Sequence, residues 1–182
     1  SQDLAVASES KDILVFALSG LRKGEKQFAP KTLHKHKGIL NELAYSPDGA
    51  YLVSSSFENE LILWTAEGTV IKDLDKLKHP VTALAFSFDG KILAALDETG
   101  KGMTYTIPTG TRLTEFTGHD NAVFSAVFSP SNTGNYIIAS GGGNNNEIIL
   151  WNPINGLTIR KIKGKGSPIY QLAFGDAYDL SF

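Results

Sequence analysis

The sequence predicts an all-β fold in which a unit of four antiparallel strands is repeated about four times. The main observation is a phrase that recurs at a steady spacing, with matching serines at Ser46, Ser87 and Ser129 that are 41 and 42 residues apart. A decayed copy follows, with Gly175 in the place of the serine. Each copy contains several short apolar runs that alternate or are β-branched, as strands are. A period of about 40–45 residues is typical of the blades of a β-propeller.

The first strand of each unit is an alternating apolar run that precedes a tight turn. Pro47 and Asp48-Gly49 favour a reversal of the chain, as does Asp89-Gly90, because proline presets φ and glycine accepts a positive φ. The predicted first strands are 40–45, 81–86, 123–128 and 169–174. The second strand follows the turn and contains small residues that allow close packing between blades, at 51–56, 92–96 and 136–140.

The third strand of each unit is apolar and ends in an aromatic residue, at 61–64, 102–105 and 148–151. The fourth is an outer strand after a turn that contains glycine, at 70–74, 112–116 and 158–162. A partial unit comes before these copies, with strands at 4–8, 13–18 and 31–35. The predicted organisation is a partial first blade with a basic connector at 1–35, blades at 36–76, 77–117 and 118–163, and the start of a further blade at 164–182.

Composition excludes several classes of function. The 182 residues contain no cysteine, which excludes a disulfide scaffold, a thiolate metal site and a cysteine nucleophile. The formal net charge of −2 gives no general attraction to nucleic acid or to an anionic membrane. No apolar run approaches the ~20 residues of a membrane span. The sequence has no glycosylation acceptor, which favours a cytoplasmic protein and leaves a nuclear location open.

The sequence predicts no catalytic residue, no metal ligand and no cofactor. His34 and His36 alternate on a short strand, but no third ligand is evident, and zinc sites need three or four. The segment 164–167 lacks the full spacing of a phosphate-binding loop, and no helix follows it. Among the serines, none is distinguished from the repeat by a paired base and acid.

The repeat resembles the WD-repeat β-propeller family, and the resemblance covers nearly the whole chain. The best-matching copy contains Gly118-His119, the strand 123–128, Ser140 and Trp151-Asn152. In that family the His, Ser or Thr, Asp and Trp of one repeat form a buried hydrogen-bond network. The resemblance implies this structural role for His36, Trp64, His119, Ser140 and Trp151. The acid position, six residues before the tryptophan, holds Asn145 in one copy and Glu58 in the other, so the networks are expected to be incomplete.

The number of repeats bears on the size of the complete assembly. Propellers of this family usually have seven blades, or roughly 300 residues at about 40–45 per blade, whereas this chain supplies about four. An incomplete disc leaves bare sheet edges, so we expect the chain to be part of a larger propeller. Two alternatives stay open: two copies close an eight-bladed ring, or strand 169–174 joins the partial first blade and closes four blades.

The resemblance implies a non-catalytic scaffold that binds proteins, as part of a larger protein or complex. Partner contacts in this family are often made beside the first strand and at the hairpin turns of one face. The corresponding candidates are Asn41, Phe57, Thr82, Glu98, Phe124, Asn144 and Tyr170. Three of them are aromatic and make the best anchors, unless each packs against its own neighbour.

Two further functions remain as alternatives. One is a sensory or regulatory propeller attached to an enzyme domain, peptidase-like or kinase, that is absent from this chain. The other is RNA binding through a basic connector, in which six cations face the single acid Glu25. These cations are Arg22, Lys23, Lys26, Lys31, Lys35 and Lys37. Nucleic acid is the less favoured partner, because no stacking aromatics are interleaved with the cations. A solvated loop is the favoured explanation for the cations.

Overall fold

The computed structural model describes residues 3–18, 29–74, 77–130, 134–144, 146–164, 166–175 and 180–181. Most of the predicted basic connector, Asn145, Lys165 and most of the segment 176–182 lie outside the described residues. The described residues contain no α-helix, and no helix among them is long and apolar enough to cross a membrane. The protein is therefore all-β over the described ranges, as the sequence predicts.

The first of two compact units comprises Ser1–Pro80 and contains two antiparallel sheets. The first sheet has the order β1-β2-β3, with β1 (Asp3–Ala7), β2 (Asp12–Ala17) and β3 (Lys31–His34). The second has the order β4-β5-β6-β7, with β4 (Leu40–Tyr45), β5 (Tyr51–Ser56), β6 (Leu61–Thr65) and β7 (Val70–Asp73). Consecutive strands pair throughout, which is the up-and-down meander of a propeller blade.

The second unit comprises Val81–Phe182 and contains two four-stranded blades and a two-stranded sheet. The first blade consists of β8 (Val81–Phe86), β9 (Ile92–Asp97), β10 (Lys101–Thr106) and β11 (Thr111–Thr117). The next consists of β12 (Val123–Phe128), β13 (Ile138–Gly142), β14 (Glu147–Trp151) and β15 (Thr158–Lys163). The last sheet pairs β16 (Ala173–Phe174) with β17 (Leu180–Ser181).

The serine of the repeated phrase organises the turn between the first two strands of a blade. Ser46 Oγ donates a hydrogen bond to Asp48 Oδ1 at 2.6 Å and accepts one from the Tyr51 amide at 2.9 Å. Ser87 makes the equivalent bonds with Asp89 and the Ile92 amide, at 2.8 and 2.9 Å. These bonds tie both ends of the turn to one buried hydroxyl. Ser-x-Asp-Gly therefore recurs at the two turns that make these bonds.

A core fills the space between the two sheets of the first unit. Ile13 and Leu33 from the three-stranded sheet pack with Leu52 and Trp64 from the four-stranded blade. All four side chains are at most 4% exposed. Burial of each such aliphatic side chain contributes about 1.5–3 kcal/mol.

A second core joins the two blades of the second unit face to face. Ala83, Ala94 and Phe116 of one blade pack with Ile149 and Trp151 of the next. The Phe116 and Trp151 rings stack with centroids 4.3 Å apart and an angle of 5° between their planes. The small residues of β8 and β9 leave room for these rings, as their sequence positions suggest.

Four of the predicted strands have the same bounds as the observed ones. β4, β5, β8 and β12 have the predicted bounds, which confirms those four predictions. The prediction of a strand over 169–174 is wrong in extent, because only Ala173–Phe174 forms one. Ile169 and Leu172 instead pack against Ala139 and Ile148 of the preceding blade.

The second strand of the last four-stranded blade also starts later than predicted, at Ile138. Tyr136, predicted to lie in the strand, donates a hydrogen bond from its hydroxyl to Asp89 Oδ2 of the preceding blade at 2.7 Å. This contact fixes the chain before it enters the sheet. Burial, followed by the Asp89 carboxylate, raises the pKa of Tyr136 to about 12.

Candidate functional site

Three of the predicted contact residues occupy the same structural position, a β-bulge in the first strand of a blade. The pairing of β4 with β5 passes from Leu40↔Ser56 to Glu42↔Ser55, so that the register shifts at Asn41. The same irregularity leaves out Thr82 in β8 and Phe124 in β12. A bulge redirects the side chain that it carries and interrupts the regular alternation of faces.

The predicted turn residues lie at the same end of these strands. Phe57 directly follows β5, and its amide donates to Ile39 O at 3.0 Å, next to the bulge. Glu98 directly follows β9 in the same way. In the third four-stranded blade the equivalent bond runs from the Gly143 amide to Ala122 O at 3.0 Å. Gly143 is therefore the structural equivalent of Phe57, and Asn144 lies one residue further along the chain.

The three aromatic candidates are exposed. In the second unit, Phe124 and Tyr170 are 46% and 69% exposed, and their ring centroids are 5.5 Å apart. In the first unit, Phe57 is 56% exposed and its neighbour Ile39 is 48% exposed. Both units therefore carry an apolar pair at the end of the blade where the bulges lie. Such rigid, exposed aromatics suit partner binding.

The polar candidates take part in bonds within the protein. Thr82 Oγ1 donates to Val123 O at 2.6 Å, which joins the first strands of adjacent blades. Asn144 Oδ1 accepts from Asn121 Nδ2 at 2.6 Å, and the Asn144 amide donates to Asp120 Oδ1 at 3.0 Å. These bonds hold the surface in one shape, so that the aromatic side chains are presented on a fixed background.

A buried hydrogen-bond network lies behind the surface of the first unit. His36 Nε2 lies 2.6 Å from Ser54 Oγ, which also accepts a bond from Trp64 Nε1 at 2.8 Å. Glu60 Oε2 accepts from the Lys37 amide at 2.8 Å and lies 3.2 Å from His36 Nδ1. The carboxylate beside His36 thus belongs to Glu60 and not, as the sequence suggested, to Glu58. Ser54 is a member that the sequence analysis did not name.

Burial and hydrogen bonding have opposing effects on the pKa values of Glu60 and His36. Burial raises the pKa of Glu60, but hydrogen bonds from the Lys37 amide, Ser56 and His36 outweigh it and hold the pKa below its ordinary value. Burial lowers the pKa of His36 against the opposing effect of Glu60. The first unit therefore contains a buried imidazole with an acid at one nitrogen and a hydroxyl at the other.

The second unit contains the corresponding network without the acid. His119 Nε2 lies 2.8 Å from Ser140 Oγ, which accepts from Trp151 Nε1 at 3.1 Å. Within the described residues, His119 Nδ1 is buried and has no hydrogen-bond partner. Glu147, at the sequence position equivalent to Glu60, lies 3.8 Å from Lys161 Nζ instead. Burial, followed by the charge of Lys161, lowers the pKa of His119 to about 4.

The described ranges contain no group of three or more His, Cys, Asp and Glu side chains that could hold a metal ion. The residues that the sequence singled out form two separate sets: buried networks that stabilise blades, and exposed residues at one end of the strands. This arrangement, on repeated four-stranded meanders, defines a β-propeller protein whose surface positions recur from blade to blade.

Comparison with known proteins identifies the type of blade. The family model "WD domain, G-beta repeat" matches residues 29–65 and 110–152. A chromatin assembly factor 1 subunit FAS2 homolog from Oryza sativa is 33% identical over 96 residues, which is 52% of this chain and 19% of that protein. An uncharacterized WD repeat-containing protein from Synechocystis is 26% identical over 147 residues, 80% of this chain and 41% of that protein. Residues 29–65 and 110–152 are therefore WD repeats, and the relatives support the same family for the chain.

The computationally designed Ika8 protein shares the fold. Its crystal structure superposes with a TM-score of 0.78 at 22% identity, covering 97% of this chain and 51% of the designed one. This chain thus spans less than half the length of the two natural relatives described above and about half of the designed protein. Relatives of this family support a protein-interaction scaffold in general terms.

Proposed function

We propose that this chain is a non-catalytic interaction module that binds a protein partner through the blade ends that carry the bulges. The partner contacts are made by Phe124 and Tyr170 in the second unit and by Phe57 in the first. Asn41, Thr82, Glu98 and Asn144 shape the surface around them. The module acts as part of a larger protein or complex, in the cytoplasm or, as the name of the rice relative favours, in the nucleus.

One observation supports this proposal above all others. Phe124 and Tyr170 are large aromatic side chains, yet they are half to two-thirds exposed and contact each other. Phe124 stands on a bulge, where its side chain is released from the packing of the sheet. Exposed aromatics of this kind are enriched among the residues that supply most of the free energy of protein binding.

The test compares the proteins captured by the native chain with those captured by the Phe124→Ser and Tyr170→Ser variants. We expect either variant to capture about tenfold less of each partner than the native chain does, because each variant removes an aromatic anchor. Quantitative mass spectrometry of the captured proteins provides the measurement.

Phe88→Ser is the matched control. Phe88 is 61% exposed in the turn between β8 and β9, at the opposite end of the strands from the bulge. Its loss should leave capture unchanged. Equal capture by all variants, or a loss with Phe88→Ser alone, would contradict the proposed binding surface.

A further inference from the structure

The outer side of the last four-stranded blade carries a second surface that the proposed function does not use. It consists of the turn after β14 and the outer strand β15. Three large aliphatic side chains project from it: Ile154, Leu157 and Ile159 are 47%, 65% and 54% exposed. Arg160, Lys161 and Lys163 follow on the same strand. These six residues are called the β15 rim below.

The turn that presents the aliphatic residues is held rigidly. The Ile154 amide donates to Asn152 Oδ1 at 2.8 Å, and the Leu157 amide donates to Asn155 Oδ1 at 3.0 Å. Gly156 has a φ of 70°, and a Cβ there would lie 2.7 Å from Glu115 O of the neighbouring blade. The turn is therefore seated against that blade, and the exposure of Leu157 is a property of a fixed backbone.

The rim keeps a net positive charge, although Lys161 Nζ forms an ion pair with Glu147 Oε2 at 3.8 Å. Glu115, whose backbone lies against Gly156, forms an ion pair with Arg112. Glu147 is largely buried and lies beside Lys161. Arg160 and Lys163 are exposed.

The other outer strands of complete blades differ from β15 in net charge. β7 carries Lys72 next to Asp73, and β11 carries Arg112 with Glu115, so that each has one charge of either sign. β15 carries three cations and no acid. Because β15 is the end strand of its sheet, one edge of its backbone pairs with no other strand of the described residues. The cations of β15 would repel the same strand of a second copy.

We propose that the β15 rim docks an extended acidic protein segment that carries apolar residues. The segment lies along the free edge of β15, where its carboxylates reach Arg160 on one face of the strand and Lys163 on the other. Its apolar side chains cover Leu157, Ile159 and Ile154. Charge complementarity selects the segment and orients it, while apolar burial supplies affinity. The surface lies on the outer strand, away from the bulges, so this proposal stands independently of the proposed function.

The test uses fluorescence anisotropy with a capped, fluorescein-labelled peptide that alternates glutamate and leucine. We expect it to bind the native chain, with an affinity that falls as the salt concentration rises. The affinity should fall about tenfold in the double variant Arg160→Glu, Lys163→Glu and about tenfold in Leu157→Ser. The matched controls Lys72→Glu and Val70→Ser alter the outer strand β7 and should bind the peptide as the native chain does.

Two other probes separate the proposed partner from different ones. A lysine–leucine peptide that binds as tightly would show simple hydrophobic adhesion and would overturn the proposal. A single-stranded RNA oligonucleotide that binds more tightly, with a loss in the double variant but none in Leu157→Ser, would assign the cations to nucleic acid and would also overturn it.

A measurement on the native chain keeps the test independent of the variants. With the glutamate–leucine peptide bound, hydrogen–deuterium exchange should slow in residues 153–163. Binding without protection there, or protection confined to the blade ends with the bulges, would reject the β15 rim as the docking surface.

Discussion

The two buried histidines show how one position can differ in its charged neighbours while it keeps its contact with a serine. His36 and His119 each contact a serine that also accepts from a tryptophan. Only His36 has an acid at its second nitrogen, whereas Lys161 acts on His119. The same geometry is therefore expected to respond to pH differently in the two units.

Acid should destabilise the second unit through His119. Burial and then Lys161 lower its pKa from 6.5 to about 4, so protonation favours the unfolded chain. The contribution of neutral His119 to the free energy of unfolding is fully present above pH 6.5. It is lost as the pH falls towards 4, by about 3 kcal/mol in all. Urea unfolding over this pH range and an NMR titration of the His119 ring provide the measurements.

Lys161→Gln should raise the pKa of His119, because it removes the nearby positive charge. Lys163→Gln is the control, since its side chain is exposed two residues further along the same strand. A native His119 that titrates near 6.5 would contradict the interpretation that this ring is buried with no hydrogen-bond partner at Nδ1 in the described residues.

The sequence analysis named His119, Ser140 and Trp151 of the second network, but in the first it named neither Ser54 nor Glu60. The spacing of the named residues follows the repeat, so resemblance alone pointed to them. Glu60 was missed in favour of Glu58 because a distance along the sequence does not say which of two nearby acids turns inward. The amide of Lys37, which bonds to Glu60 at 2.8 Å, decides this, and a backbone donor leaves no mark in the sequence.

At the level of strands, the stack between Phe116 and Trp151 connects two blades and depends on a neighbouring glycine. A Cβ on Gly118 would lie 2.1 Å from Phe116 Cζ. Gly118→Ala should therefore displace the ring and lower the free energy of unfolding by about 1–3 kcal/mol, and Phe116→Ala should lower it by about 3–5 kcal/mol. Urea unfolding measures both.

Thr117→Ala is the control for these variants, because Thr117 is exposed between the two altered positions. Its effect should stay within about 0.5 kcal/mol. A Gly118→Ala variant as stable as the native chain would show that the Phe116 ring can move without loss of packing.

The first strands β4, β8 and β12 were predictable from their apolar pattern and their position before the turn. Only β8 among them also alternates regularly between buried and half-buried side chains. The bulges were not foreseen, because a bulge changes the pairing of two strands without changing the apolar pattern of either. Segment 169–174 kept the apolar pattern of a first strand, but its pairing is limited to two residues.

At the scale of the molecule, each compact unit contains its own core and its own tryptophan, Trp64 in the first and Trp151 in the second. We expect residues 81–182, expressed separately, to fold. Their Trp151 emission should be that of a buried indole, and urea should unfold them in a cooperative transition. Emission typical of solvent-exposed tryptophan, without a transition, would contradict this expectation.

At a bulge, different side chains occur without a change in the pairing of the blade. Asn41, Thr82 and Phe124 are an amide, an alcohol and an aromatic ring at one structural position, and the neighbouring strand pairs close around all three. A randomised library at Asn41 and Phe124 should therefore yield mostly folded variants. Such a library would make the chain a scaffold for selecting new binders, with its strand pairing left unaltered.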